Sequence, residues 1–247
     1  MISYPLTNRI ALVTGASRGI GYATAIELAK RGAHVVATAR TVGGLEELDD
    51  AIKAIGGSAT LVPLDMKDTP GIARLAEALR ERYGRLDILV GNAAQLNVST
   101  PLSHIEPKDW DDVIAVNVTA NWHLLRFLEP LLKASDAGRV VLVSSGAASN
   151  PRAYSALYAL SKAALEAMGR SYADEMASTP VRVNLYTPGR TNTPMQFKAF
   201  PGADPAILHK PEDVAVTLVD LCLPSVTETG KLYDHNQRKL LSFRKPV

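Results

Sequence analysis

The sequence predicts an α/β fold, a single-domain, doubly wound parallel sheet of about seven strands with helices on both faces. Three observations predict it. Short β-branched runs alternate with longer amphipathic ones throughout the 247 residues. The strand candidates are nearly continuous in apolar character, as in parallel sheets covered on both sides. No Gly/Ser-rich linker or low-complexity stretch divides the chain, so residues 1–247 read as one domain, a size that α/β proteins often reach.

In order, the strand candidates are RIALVT (9–14), HVVAT (34–38), SATLVPL (58–64), LDILVG (86–91), RVVLVS (139–144), VRVNLY (181–186) and a weaker GKLYD (230–234). Helical patterns fall between them, for example GYATAIELAKR (21–31) and GIARLAEALRERY (71–83). Right-handed crossovers convert that order into a doubly wound sheet, whose ligands bind beyond the carboxyl ends of the strands. The one long stretch without clear periodicity, about 188–213, is expected to be a substrate lid or an unstructured loop. Its Met195, Phe197, Phe200 and Pro201 suit either a partly apolar substrate or packing of the lid onto the domain.

Composition narrows the function. A formal net charge of only +2, with acids and bases mixed, gives no reason to expect nucleic acid as the main partner. Cys222, the single cysteine, lies in an apolar run and suits a reducing compartment. The N-terminus lacks the pattern of a signal peptide and no apolar run is long enough to span a bilayer. The expectation is a cytoplasmic protein without a membrane partner. The five histidines, at 34, 104, 123, 209 and 235, show no ligand spacing, so no metal site is expected.

Immediately after the first strand comes TGASRGIG, residues 14–21, opening into a helix. Glycines there let the backbone turn tightly, and the helix N-terminus offers free N–H groups to a pyrophosphate. The strand-turn-helix context supports a dinucleotide site lined by Gly15, Ser17, Arg18, Gly19, Ile20 and Gly21. At the end of the second strand an acid would accept the 2′-hydroxyl of NAD, whereas an arginine suits the 2′-phosphate of NADP. Here Arg40 follows Ala39, the first acids are Glu46 and Glu47, and Arg18 lies nearby in the loop. Guanidinium groups bind phosphate bidentately, which favours NADP(H).

The segment YSALYALSK (154–162) places Tyr154, Tyr158 and Lys162 four residues apart, on one face if the whole segment is helical. Ser144 and Ser145 end the preceding strand, so serine, tyrosine and lysine can converge. A free tyrosine titrates near pH 10, and serving as a base near neutrality requires a shift of about three units. A neighbouring ammonium and a positive nicotinamide are expected to lower it.

These motifs together resemble the short-chain dehydrogenase/reductase family, a Rossmann-fold family. TGxxxGxG is matched from Thr14 to Gly21, Tyr-x-x-x-Lys by Tyr158 and Lys162, and PGxxxT by Pro188, Gly189 and Thr193. Ser145 stands thirteen residues before the tyrosine, and Asn117 lies in VIAVNVTANW. The resemblance implies that Tyr158 exchanges a proton with the substrate oxygen, Ser145 orients it, Lys162 binds the nicotinamide ribose, and Asn117 holds a water leading to solvent. A mid-helix asparagine can instead face solvent or cap a break. The resemblance further implies contacts to NADP(H) from Asp65, Asn92 and Thr193, a small carbonyl or alcohol substrate, and a homodimer or homotetramer. Tyr154 has no role in that pattern.

Two features depart from the family pattern. The NNAG segment reads GNAA (91–94), and the ending TGxxxxVDGG is replaced by TGKLYDHNQRKLLSFRKPV. The leading expectation is an NADP(H)-dependent oxidoreductase moving hydride between nicotinamide and a carbonyl or secondary alcohol. The alternatives are a 3-oxoacyl thioester reductase and a non-catalytic NADPH-binding regulator.

Overall fold

Strand β1 (Ile10–Thr14) shows how the sheet acquires two covered faces. Successive side chains of a strand point to opposite faces. Leu12 accordingly enters one apolar cluster, with Leu75, Leu79, Leu125, Leu128 and Leu165. Ala11 and Val13 enter the other, with Leu28, Leu45, Leu48 and Leu218. The computed structural model describes residues 4–243. The basic tail residues Arg244 and Lys245 lie outside the described residues.

From β1 the chain forms α1 (Gly19–Lys30), β2 (His34–Ala39), α2 (Val42–Ala54), β3 (Ser58–Pro63), α3 (Thr69–Tyr83) and β4 (Ile88–Gly91). It continues through α4 (Pro107–Ile114), a π-helical turn at Ala115–Thr119, α5 (Ala120–Lys133), β5 (Arg139–Val143), α6 (Ala156–Glu175) and β6 (Arg182–Thr187). The last elements are α7 (Pro194–Ala199), α8 (Pro211–Asp220), β7 (Lys231–Asp234) and β8 (Lys239–Ser242). Local signals set several boundaries. Asp68 accepts a hydrogen bond from Gly71 N at 2.9 Å and starts α3. Gly84 ends it in the left-handed conformation, φ 68°, which costs glycine nothing.

All eight strands form one sheet in the order β3-β2-β1-β4-β5-β6-β7-β8. Every pairing is parallel except β7 with β8, where Lys231 opposes Ser242 and Asp234 opposes Lys239. The eighth strand adds one to the expected count of about seven. Its residues are mostly exposed and carry no periodicity that a sequence reading would catch. They form a strand because the chain reverses at His235–Arg238 and pairs back onto β7. The altered C-terminal ending thus closes the sheet with an antiparallel hairpin.

The GNAA departure is also accommodated. A Cβ at Gly91 would lie 2.6 Å from Asn121 Oδ1 and 2.7 Å from a Leu142 methyl group. Here α5 and β5 leave no room for a side chain. Among the described residues, no helix is long and apolar enough to cross a membrane.

Candidate active site

A cleft of about 1330 Å³ opens at the carboxyl ends of the parallel strands. At one end lie Ser17, Arg18 and Arg40; Asn92 and Ala93 form its middle; Ser145, Tyr158, Lys162, Pro188, Gly189 and Thr193 complete it. Gly15, Gly19, Ile20 and Asp65 also line it. Of the residues predicted from sequence, only Gly21 and Asn117 stand behind the wall.

The glycine loop is held by the strand ends beneath it. Thr14 Oγ1 accepts from Asn92 N at 3.0 Å and Ala93 N at 2.9 Å. The Asn92 amide donates to Thr14 O at 2.8 Å, so its side chain fixes the loop. A Cβ at Gly21 would lie 2.3 Å from Gly15 O, the close approach that requires glycine. Gly19, at φ +59°, has Thr193 across the cleft, whose methyl carbon would be 3.1 Å from an added Cβ. Thr193 also caps α7 by accepting from Gln196 N at 3.2 Å, so the start of α7 is seated over the loop. Ser17 accepts a hydrogen bond from the Thr41 hydroxyl at 3.0 Å. Arg18 and Arg40 are exposed, and among the described residues neither forms an ion pair. Neither Glu46 nor Glu47 lines the cleft.

The reactive row is shorter than its spacing suggests. Helix α6 begins at Ala156, and Tyr154 precedes it at φ 65°. A left-handed residue cannot continue a right-handed helix, so Tyr154 leaves the row and stands 61% exposed at the cleft wall. Tyr158 and Lys162 do share a helix face. The Lys162 ammonium lies 5.8 Å from the Tyr158 ring centre and donates to Val143 O at 2.7 Å.

Burial reverses the expected direction for the phenol. Removal from water pushes Tyr158 up to about 12, opposed by a hydrogen bond with Ser145. Desolvation lowers Lys162 to about 8, with the nearby Glu166 charge acting against it. Both shifts disfavour the charged form, as burial does. The protein alone therefore keeps Tyr158 protonated across the neutral range.

The two serines divide their work. Ser144, 2% exposed, donates to Glu166 Oε1 at 2.6 Å, leaving Ser145 facing the cleft. Sequence reading missed Glu166, although it extends the four-residue spacing of Tyr158 and Lys162 by one more turn. Desolvation raises its carboxyl, opposed by the Ser144 hydrogen bond and the cations Arg170 and Lys162.

Asn117 is fully buried in the π-helical turn. π-turns inside helices recur at functional sites because they redirect a side chain. Its oxygen accepts from Gln95 N at 2.7 Å, and its amide donates to Gln95 O at 3.0 Å and Ser161 Oγ at 2.9 Å. The Ser161 hydroxyl donates in turn to Tyr158 O at 2.7 Å. Asn117 thereby braces the Tyr158 helix against the 92–97 segment.

Beyond Thr193 the segment that follows α7 is anchored to the C-terminal hairpin. His209 Nε2 lies 2.7 Å from Asn236 Oδ1, and a Cβ at Gly189 would strike that same oxygen at 2.3 Å. The buried His235 lies 2.8 Å from Tyr186 Oη. No sequence pattern indicated these contacts, since they join segments that meet only in the fold.

A sheet with this order, a glycine loop on its first crossover and a Tyr-Lys pair on its sixth helix define a nicotinamide-type oxidoreductase architecture. The family profile described as short chain dehydrogenase matches residues 9–203. The chain belongs to the short-chain dehydrogenase family. It is 38% identical over 212 residues to the oxidoreductase YciK of Escherichia coli K12, covering 85% of this chain and 84% of that protein. It is 32% identical over 195 residues to 2,3-dihydro-2,3-dihydroxybenzoate dehydrogenase of Bacillus subtilis, covering 79% of this chain and 74% of that one. A Shigella flexneri 2a short-chain dehydrogenase in complex with NADP superposes with a TM-score of 0.90 at 36% identity, covering 95% of this chain and all of that one (100%). Another, from Escherichia coli CFT073 in complex with NADPH, gives 0.88 at 36% identity over 95% and 99% of the two chains.

Proposed function

We propose that this protein is an NADP(H)-dependent reductase of a carbonyl substrate, operating in reverse as an alcohol dehydrogenase. One observation carries the reading. Tyr158, Lys162 and Ser145 share a cleft with two arginines that have no ion-pair partner among the described residues, and a dinucleotide would connect the two groups. Arg18 and Arg40 would hold the 2′-phosphate, Gly15 to Ile20 the pyrophosphate, and Lys162, Pro188, Gly189 and Thr193 the nicotinamide end. When bound, the nicotinamide supplies a hydride to the carbonyl carbon.

The residues of the chain supply the rest. Ser145 donates to the carbonyl oxygen and orients it, and Tyr158 gives that oxygen its proton. A phenol pushed up to about 12 by burial is fully protonated before transfer, which suits the acid role in carbonyl reduction. Removing a proton from an alcohol requires a further positive charge beside the phenol. The lid at about 188–213 would cover the substrate.

The test is NADPH and NADH oxidation over ketones, aldehydes and 3-oxoacyl thioesters, with Tyr158→Phe alongside. Turnover that prefers NADPH and vanishes in the variant supports the reading. Binding of NADPH without turnover of any compound favours a regulatory protein. Self-association through α4, α5 and α6 belongs to the same proposal, since Trp110, Trp122 and Leu160 remain 39%, 47% and 44% exposed there. A monomeric mass by light scattering at micromolar concentration overturns that part.

A further inference from the structure

The cleft continues past Tyr158 into a region whose charge the hydride reading does not use. Its lining includes six cations, Arg18, Arg40, Arg152, Lys162, Arg190 and Lys198, against three carboxylates, Asp65, Glu166 and Asp234. All three carboxylates already accept hydrogen bonds within the protein. Asp65 accepts from Lys67 N at 2.9 Å, Glu166 from Ser144 at 2.6 Å, and Asp234 from Asn236 N and the Gln237 amide, each at 2.9 Å.

Of the cations, Arg18 and Arg40 stand beside the glycine loop, and Lys162 is in the reactive row. The other three surround the substrate end. Arg152 comes from the loop before α6, Arg190 from the exit of β6, and Lys198 from α7. All three are exposed, and none forms an ion pair among the described residues. Their positions face inward across the cleft. Lys198 reaches over to Leu96 O at 3.5 Å, a weak contact at the mouth between lid and floor. The Arg190 guanidinium is stacked 5.2 Å from the Phe200 ring centre, which holds it in place on the lid. Gln196 also lines the cleft, and its buried Nε2 has no acceptor among the described residues.

Like-signed charges in a cleft with low-dielectric walls concentrate their field on what enters. Guanidinium and ammonium groups bind carboxylate and phosphate oxygens with charge-assisted hydrogen bonds. A neutral ketone would make no use of the three cations that line this end of the cleft. An anionic oxygen group would pair with them. We propose that the substrate is an anionic carbonyl compound, its carboxylate or phosphate held by Arg152, Arg190 and Lys198 on the lid side of Tyr158. The proposal rests on the reductase reading and adds the substrate's charge to it.

The experiment compares matched pairs with NADPH. One pair is a 3-oxo acid and its methyl ester; the other is acetoacetyl-coenzyme A and the N-acetylcysteamine thioester, which lacks the phosphates. The acid pair reports a carboxylate and the thioester pair a phosphate. In at least one pair the anionic member should show kcat/KM higher by about tenfold or more, as expected for several charge-assisted contacts. The Arg190→Met, Lys198→Met and Arg152→Met variants should each erode that preference, and the triple variant should erase it. Their NADPH affinity, measured by fluorescence, should stay at the wild-type value.

Equal or better turnover of the neutral members, or a preference that survives the triple variant, overturns the proposal while leaving the reductase intact. If nothing turns over, quenching of bound NADPH fluorescence by the same compounds decides. Tighter binding of the anionic members, lost in the triple variant, keeps the anion site and counts against hydride transfer. Equal binding overturns both.

Discussion

Opposite ends of the sheet each bury charged groups, and they do so in opposite ways. At the amino ends of the strands Asp87 is fully buried and fully used. Its carboxylate accepts from Arg9 at 3.0 Å, Ser135 at 2.7 Å, Ile10 N at 2.8 Å and Arg85 at 3.2 Å. At the carboxyl ends, Lys162 is as thoroughly buried, yet among the described residues it forms no ion pair. Its one protein acceptor is the Val143 carbonyl. Buried charges cost free energy unless paired and hydrogen-bonded. The first end meets that cost within the chain and stitches β1, β4 and β5 together. The second leaves it partly unmet, and titration is displaced there. Structural and reactive burial differ in what the protein leaves for a ligand to complete.

The largest expected effect is on the reactive end. Tyr158→Phe should lower kcat by roughly three orders of magnitude, the scale of a lost proton donor, with NADPH affinity unchanged. A variant that keeps substantial turnover would make Tyr158 a packing residue. Next comes the structural end. Asp87→Ala should reduce stability by about 3 kcal/mol or more, because it strands buried donors. Urea unfolding measures the loss, and activity per folded molecule should persist. Coupled losses of stability and of turnover in the folded fraction would dissolve the contrast between the two ends.

A smaller effect is expected at Arg40. Arg40→Ala should weaken NADPH by roughly tenfold, the value of one charge-assisted contact to phosphate, and leave NADH nearly unaffected. Equal weakening of both would remove the 2′-phosphate assignment.

The subtlest prediction concerns pH. Lys162 is lowered from the ordinary 10.5 to about 8, so its ammonium is present below that pH and lost above it. With the ammonium holding the ribose as proposed, kcat/KM for NADPH should fall as pH rises through about 8, since this parameter reports groups of the free enzyme. The folded protein binds fewer protons here than the unfolded chain between about 8 and 10.5. The stability contribution of this group therefore rises with pH across that window. The Glu166 charge raises Lys162, so Glu166→Gln should move the activity limb to lower pH, by less than a unit. An unmoved limb would confine Glu166 to holding Ser144.

Much of this was legible before folding. Gly15, Gly19 and Arg18 occupy a loop whose glycines and flanking strand announce themselves locally. The Tyr158–Lys162 spacing survives because both residues stand on one helix. Tyr154 lies outside α6 because a single left-handed residue breaks a helix that composition alone would extend. Glu166 went unread because its importance depends on Ser144, which is 22 residues away in sequence and 2.6 Å away in space.

The amino-acid sequence by itself determined the parallel sheet, the dinucleotide loop and the reactive pair, since these depend on local periodicity and residue chemistry. Only the tertiary structure decided the antiparallel β8, the bracing of Tyr158 by Asn117, the seating of Thr193 on Gly19 and the direction in which Tyr158 titrates. The physical reason is the same in each case. Strand pairing, close approach and desolvation are sums over atoms from distant parts of the chain, and no local pattern contains them.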